Sequence, residues 1–251
     1  TLLLFAKCHS EISQYTYLLC PDSKKIEFVR DKRSLMQFSE AHGIPMPKTY
    51  YSPPALTLPH QGGRERWRFV IKPRISSGSF GIVYVKREED LLPAYQSVHE
   101  RFPFPLIQEW IPDGGGMYGL AALFDEASNI KAVFIHKKLR MYPIQGGPST
   151  LREGVEHSQI MELGLSLLKS LNWVGIGMVE FKVDPRDGIP KLMELNPRFW
   201  GSLQLAIVSG VDFPHLILKM ARKESFNPVL HYEVGKRCRW LLFGDLLHFI
   251  N

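Results

Sequence analysis

Met193-Glu194-Leu195-Asn196-Pro197-Arg198-Phe199-Trp200-Gly201 decides how the rest of this chain is read. An acid, a carboxamide and a guanidinium alternate at positions 194, 196 and 198. On a strand, such period-2 spacing puts all three on one face. A carboxylate beside an amide oxygen suits a hard cation such as Mg²⁺, and an arginine two residues further on suits an anionic oxygen held next to that cation. Alone, the pattern equally describes a half-buried strand edge with a chance polar face. Its surroundings decide between the two.

Immediately upstream, residues 175–184 read as a strand, Pro185-Arg186-Asp187-Gly188 as a turn, and residues 190–196 as the returning partner. Glu180 then sits near Glu194 and Asn196 across a hairpin, a third oxygen where a cation needs one. Further upstream, Trp67-Arg68-Phe69-Val70-Ile71 is strand-like and ends in the cations of Lys72-Pro73-Arg74. Ile75-Ser76-Ser77-Gly78-Ser79-Phe80-Gly81 follows, and then a second strand over residues 82–85. Strand, small-residue loop, strand fits neither a Walker A loop nor a dinucleotide fingerprint, both of which lead into a helix. Small residues beside a strand-end lysine can instead fold over phosphates with their backbone N–H groups. The plainer alternative is an ordinary hairpin loop.

The remaining segments fall into place around these. Residues 2–17 read as helical, followed by Pro21-Asp22-Ser23 and a short apolar piece over residues 26–29. Asp31 is placed to cap a helix over residues 32–42, with Leu35, Met36 and Phe38 buried and Gly43 as its stop. Ile44-Pro45-Met46-Pro47 leaves it extended. Pro53, Pro54, Pro59 and Gly62-Gly63 mark a loop. Residues 88–100 read as a helix and 106–111 as a strand, after which Gly114-Gly115-Gly116 is expected as a hinge between lobes. Strands are expected over 117–124 and 130–138. The basic segment His136-Lys137-Lys138-Leu139-Arg140, standing before Gln145-Gly146-Gly147-Pro148-Ser149-Thr150, suggests an anion site under a mobile cover rather than a merely solvated strand face. Residues 155–171, 201–209 and 213–223 read as helices.

Composition narrows the classes. The chain has 251 residues, 45% hydrophobic and 22% charged, enough for one large domain or two lobes with real cores. Twelve per cent aromatic residues argue against disorder. No apolar run approaches the roughly 20 residues that span a bilayer, so no membrane partner is expected. The net charge of +6 raises nucleic acid, but the basic residues form no block and acids are interleaved. A cationic cleft for a phosphorylated small molecule explains the excess equally well. Cys8, Cys20 and Cys238 are dispersed and lack metal spacing, as expected of free thiols in the cytoplasm. Both ends of the chain read as cuts within a longer protein.

Lys32, Lys72, the serine-glycine loop, Gln108-Glu109, Glu180 and Glu194-x-Asn196-Pro197-Arg198, in that order, resemble an ATP-grasp protein over about residues 31–223. The segment from Lys137 to Thr150 is similar to the carbamoyl-phosphate-synthase-like, carboxylate–amine ligase branch. The resemblance implies an α/β (α+β) fold in which two lobes of mostly antiparallel sheet clasp ATP. Residues 1–30 would close a preceding α/β domain, 31–113 form the small lobe and 114–251 the large one.

The resemblance also implies roles. Lys32 and Lys72 neutralise ATP phosphates under a loop formed by Ser76, Ser77, Gly78, Ser79 and Gly81. Gln108 and Glu109 open the adenine segment; the Glu109 carboxylate takes the adenine amino group and the backbone of Trp110 and Ile111 pairs with the ring edge. Glu180, Glu194 and Asn196 hold Mg²⁺, with Mn²⁺ as an alternative. Arg198, Lys138 and Arg140 hold the acid substrate and its acyl phosphate. The implied reaction is ligation of a small-molecule carboxylate to an amine through an acyl phosphate, with a homo-oligomer left open as the assembly. The alternatives are a non-catalytic ATP-binding module or subunit, and phosphotransfer to a non-carboxylate acceptor. Two positions depart from the pattern. Met178 stands where members joining amino acids often carry arginine, and no clear ribose acid follows the hinge, Asp113 being the nearest.

Overall fold

The computed structural model describes residues 2–52, 68–76, 78–144 and 147–250. The expected first helix is two short ones, α1 (Leu2–Lys7) and α2 (His9–Ile12). Only Ala6 is buried in α1 and nothing in α2, so no packed face holds the stretch as one rod. The apolar piece at 26–29 is no separate element. Ile26 and Val29 lie inside α3 (Ser23–Arg30), where their i,i+3 spacing buries both, and the Asp22 carboxylate caps it by accepting from the Lys25 N–H at 2.8 Å. α4 (Lys32–Ala41) begins as expected, Asp31 accepting from the Arg33 N–H at 2.9 Å, and Gly43 follows its end at φ +67°.

β1 (Thr49–Tyr50), β2 (Phe69–Lys72), β3 (Val83–Val85) and, after the helix α5 (Leu91–Arg101), β4 (Leu106–Glu109) build an antiparallel sheet in the order β1-β4-β2-β3. Leu91, Tyr95 and Val98 of α5 cover Ile71, Val85 and Ile107 on one face. The other face is left for a ligand. Trp67 and the loop containing Pro53, Pro54, Pro59 and Gly62-Gly63 lie outside the described residues.

The second sheet carries most of the protein. Its strands are β5 (Met117–Phe124), β6 (Ile130–Met141), β7 (Ser149–Gly154), β8 (Gly175–Val183), β9 (Pro190–Asn196) and β10 (Arg237–Arg239). They run antiparallel in the order β10-β7-β6-β5-β8-β9. Three helices belong with it: α6 (Ser158–Ser170), α7 (Leu203–Val208) and α8 (Phe213–Ala221). A short α9 (Leu246–Ile250) ends the chain. Two expectations need correction. β6 continues beyond Lys138, so the whole basic segment is strand. Ser149 and Thr150, expected in a mobile cover, begin β7. The buried positions of β7 are Ser149, Thr150, Arg152 and Gly154, and without apolar residues there the alternation does not look like a strand. Gln145 and Gly146 lie outside the described residues.

β5 explains the architecture. Tyr118, Leu120, Ala122 and Phe124 face a core shared with Ile160, Leu167 and Leu168 of α6 and with Leu35 and Met36 of α4. Ala121 and Leu123 face a second core with Trp200, Leu205, Phe213 and Leu216. Buried on both sides, β5 reads as an unbroken apolar run rather than an alternating one. The second face changes character along its length. Beyond Ala121 it continues as a polar row, Gly119 pairing with His136 and Glu180, and Glu180 with Glu194. Half of this face is core, and the other half is site.

The glycine triplet is bonded rather than loose. A Cβ on Gly115 would lie 2.0 Å from the Val183 carbonyl oxygen, and the Val183 N–H donates to the Gly116 carbonyl at 3.0 Å. Close backbone approach requires glycine there. Among the described residues no helix is long and apolar enough to cross a membrane.

Candidate functional site

A cleft of about 910 Å³ lies between the two sheets, within the size range of small-molecule sites. The first sheet and its borders contribute Pro47, Val70, Trp110 and Ile111, an apolar wall for a flat ring. Trp110 donates its backbone N–H to the Arg68 carbonyl at 3.0 Å, so that group is already engaged, and its indole lies under the Arg68 guanidinium at 4.9 Å. The Glu109 carboxylate accepts from the Lys48 N–H at 3.1 Å and meets Arg186 at 3.4 Å. Arg186 is in turn clamped by the buried Asp184, so the β8–β9 turn reaches across to the first sheet. Gln108 is buried, donates to Thr49 Oγ1 at 2.8 Å and does not line the cleft. Asp113 pairs with Lys182 at 2.7 Å.

Two lysines come together on the phosphate side. Lys32 Nζ donates to the Ser76 carbonyl at 3.1 Å and lies 3.3 Å from its hydroxyl. Lys72 Nζ is 3.9 Å from Met193 Sδ, so it reaches β9 from β2. Burial lowers the pKa of both ammonium groups, and Glu194 opposes the shift in each. Lys72 is pushed down to about 8, burial being the main cause and the neighbouring Lys32 the next. Two ammonium groups held close, with Glu194 as the one carboxylate acting on both, favour a polyanionic ligand. Gly78 and Ser79 line the cleft at φ +61° and +63°, a left-handed pair that turns successive N–H groups the same way. Gly81 does not line it; its Cα packs where a Cβ would meet Phe102 and Pro73 at 2.8 Å. Ser77 lies outside the described residues.

Glu180, Glu194 and Asn196 share one face of the β8–β9 hairpin. Glu180 pairs with Glu194, and Asn196 Nδ2 donates to Glu194 Oε1 at 2.8 Å, leaving the amide oxygen toward Arg198, whose Nη2 is 3.4 Å away. Burial raises the Glu180 carboxyl above the usual range, and Glu194 adds to the rise against the pull of Lys138. A divalent cation between two such carboxylates would relieve both causes, so the residues fit Mg²⁺ or Mn²⁺. Among the described residues no cluster of three or more His, Cys, Asp or Glu could enclose a metal unaided.

The β6–β7 region departs most from expectation. Lys138 binds Glu180 at 2.5 Å and so reaches across β5 to the cation hairpin. On the strand between them stands Gly119, where a Cβ would come within 2.4 Å of the His136 ring that lies over it. Arg140 does not line the cleft; it pairs at 3.0 Å with Asp245, a fully buried carboxylate that also takes Arg239. A break in strand alternation is the reason: β6 bulges between Lys138 and Arg140, so the two side chains no longer share a face. In its place stand Arg152, to which the sequence assigned no role, and His136, which it placed only within the basic segment. Both line the cleft and are almost wholly buried. Arg152 pairs in register with Lys138, placing both heads on the cleft face. Burial lowers the Arg152 pKa and pushes His136 down to about 3, keeping the imidazole neutral. Period 2 within β7 could have found Arg152 only if its pairing with β6 were known.

A family model described as "ATP-grasp in the biosynthetic pathway with Ter operon" matches residues 132–241. No curated protein sequence matches the chain. Several solved structures share its fold. The biotin carboxylase domain of the Hydrogenobacter thermophilus 2-oxoglutarate carboxylase, solved with MgADP, ADP and bicarbonate, superposes with a TM-score of 0.73 at 17% identity, covering 94% of this chain and 54% of that one. Campylobacter jejuni biotin carboxylase, solved with a β,γ-ATP analogue, gives 0.69 at 17% identity over 87% and 51%. The L-amino acid ligase of Bacillus licheniformis gives 0.64 at 18% over 88% and 53%. The chain thus spans about half the length of the structures it matches.

Proposed function

The chain has the ATP-grasp fold, and from that premise we propose that it is the ATP- and Mg²⁺-dependent part of a ligase that activates a carboxylate as an acyl phosphate. One observation carries the reading. Lys32 from the start of α4 and Lys72 from β2 approach the same point that Glu180, Glu194 and Asn196 approach from the β8–β9 hairpin. Cations for phosphates on one wall and hard oxygens for a metal on the other are what Mg-ATP requires.

In this reading residues 31–113 form the small lobe, 114–251 the large lobe, and 1–30 the close of a preceding domain. The adenine lies against Val70, Trp110 and Ile111, and the phosphates meet Lys32, Lys72 and the Gly78–Ser79 backbone. Bound by Glu180, Glu194 and Asn196, Mg²⁺ supplies charge neutralisation between the phosphates. A carboxylate oxygen of the acid attacks the γ-phosphorus as the bond to the bridging oxygen breaks, releasing ADP. The amine nitrogen then attacks the acyl carbon, the carbon–oxygen bond breaks toward inorganic phosphate, and the amine proton leaves to solvent. The protein's share is positioning and charge: Arg198 meets the phosphoryl oxygens in flight, and Lys138, paired with Glu180 in this structure, would be free for the acid where a cation held by Glu180 met that carboxylate's charge.

The test is acid-dependent ADP release by the full-length protein. ADP and phosphate should appear in equal amounts only when a carboxylate and an amine are both present. No ADP across a broad panel of acids and amines would contradict the proposal.

A further inference from the structure

Resting on that reading, the cleft also carries information about which acid it takes. Arg152 Nε, His136 Nδ1 and Trp200 Nε1 are all buried, and among the described residues they have no hydrogen-bond partner. All three residues line the cleft. Buried polar groups are nearly always paired, so unpaired ones gathered in a cleft mark where a ligand completes the pairing. The nitrogens of Arg152 and Trp200 can only donate. Their missing partner is therefore an acceptor, and beside a guanidinium that partner is an anion. Lys138 is the in-register neighbour of Arg152 on β6 and adds a second cation.

The walls beside these donors are apolar. Met141, Ile144, Met178 and Trp240 line the cleft, and Ile144 and Trp240 are each 46% exposed, a cost in water that a covering ligand removes. The lining carboxylates among the described residues are Glu109, Asp113, Glu180 and Glu194. Glu109 and Asp113 are held by Arg186 and Lys182, and Glu180 and Glu194 form the cation hairpin. None stands ready to receive a substrate ammonium.

We propose that the acid substrate is a monocarboxylate with an apolar body and no α-ammonium group, its carboxylate on Arg152 and Lys138 and its body against Met141, Ile144 and Trp240. Arg152 is then a substrate-binding residue, and Trp240 a determinant of body size. The acid oxygen so held faces the phosphoryl group carried by the cation hairpin, because Lys138 already bridges the two places.

The experiment uses the full-length protein with Mg-ATP and hydroxylamine as a small nucleophile, reading ADP and hydroxamate for acetate, hexanoate, benzoate and alanine. Hexanoate or benzoate should exceed alanine in kcat/KM by at least about tenfold. Arg152→Gln should raise the KM of the favoured acid by about tenfold or more, as loss of a charged hydrogen bond does, with the KM for ATP within about twofold as the control for folding. Arg152→Lys should recover part of the loss, and Trp240→Ala should narrow the preference for hexanoate over acetate. A preference for alanine, or an unchanged acid KM in Arg152→Gln, would overturn the inference while leaving the ligase reading intact. If no acid releases ADP, calorimetric titration of hexanoate in the presence of Mg-ADP decides. Binding weakened by Arg152→Gln upholds the acid site although the ligase reading fails, and absence of binding overturns the acid site as well.

Discussion

The β8–β9 hairpin and the β6–β7 ribbon border the same cleft, yet they differ in how their side chains reach it. In the hairpin, the groups proposed for the metal follow one another along a single strand, at Glu194 and Asn196, with Glu180 paired opposite Glu194 on the strand before the turn. In the ribbon, Lys138 and Arg152 meet only because a bulged β6 pairs with a strand that begins after Met141, while Arg140, two residues from Lys138, is turned away to Asp245. The first arrangement is local and periodic; the second depends on register between segments. Chemistry written along one strand survives any error about its partners. Chemistry written across strands does not.

The comparison can be broken at four places. Glu194→Gln removes charge from the centre of the hairpin, and ADP release should fall on the order of 10³-fold in kcat, as when a charge-stabilising group is lost. A fall below about tenfold would mean that the hairpin does not carry the charge assigned to it. Gly119→Ala strikes the point where hairpin and ribbon touch. With 2.4 Å between the new Cβ and the His136 ring, an overpacking cost of about 1–3 kcal/mol should appear as a lowered denaturation midpoint. An unchanged midpoint would show that the ring has room to move.

These two substitutions also separate what was legible in the sequence from what was not. The Asp31 cap, the β8–β9 hairpin and Lys72 at its strand end follow from local pattern, since caps, turns and period-2 spacing act within a few residues, whereas Lys32 enters only through the family resemblance. β7 and β10 carry no hydrophobic alternation: the buried positions of β7 hold Ser, Thr, Arg and Gly, and β10 has only Cys238 half-buried. The helix α3 was read as a short apolar piece because Ile26 and Val29 are its only buried residues. Sequence nearness to Lys138 points to Arg140, whereas strand register brings Arg152 beside it.

Lys72 sharpens the comparison through pH. With its ammonium pushed down to about 8, it is charged below that value and progressively neutral above it, facing Lys32, Glu194 and Lys182. Affinity of the free protein for ATP should therefore weaken by about tenfold between pH 7 and pH 9, the worth of roughly one ionic hydrogen bond, and Lys72→Arg should flatten the profile. A profile that strengthens with pH would contradict the placement of that charge. The smallest effect belongs to Arg140→Gln. Acid and ATP KM should each stay within about twofold, while the buried Asp245 keeps Arg239 as its partner. A large rise in acid KM would return Arg140 to the site and undo the contrast drawn here.

The central claim is that hairpin and lysines together let a carboxylate take the γ-phosphoryl group of ATP. It is tested most directly by supplying an acid labelled with ¹⁸O in its carboxylate, together with Mg-ATP and hydroxylamine, to the full-length protein. Attack by the carboxylate oxygen followed by cleavage of the carbon–oxygen bond predicts one ¹⁸O in each phosphate released. Turnover that yields phosphate free of label would contradict it.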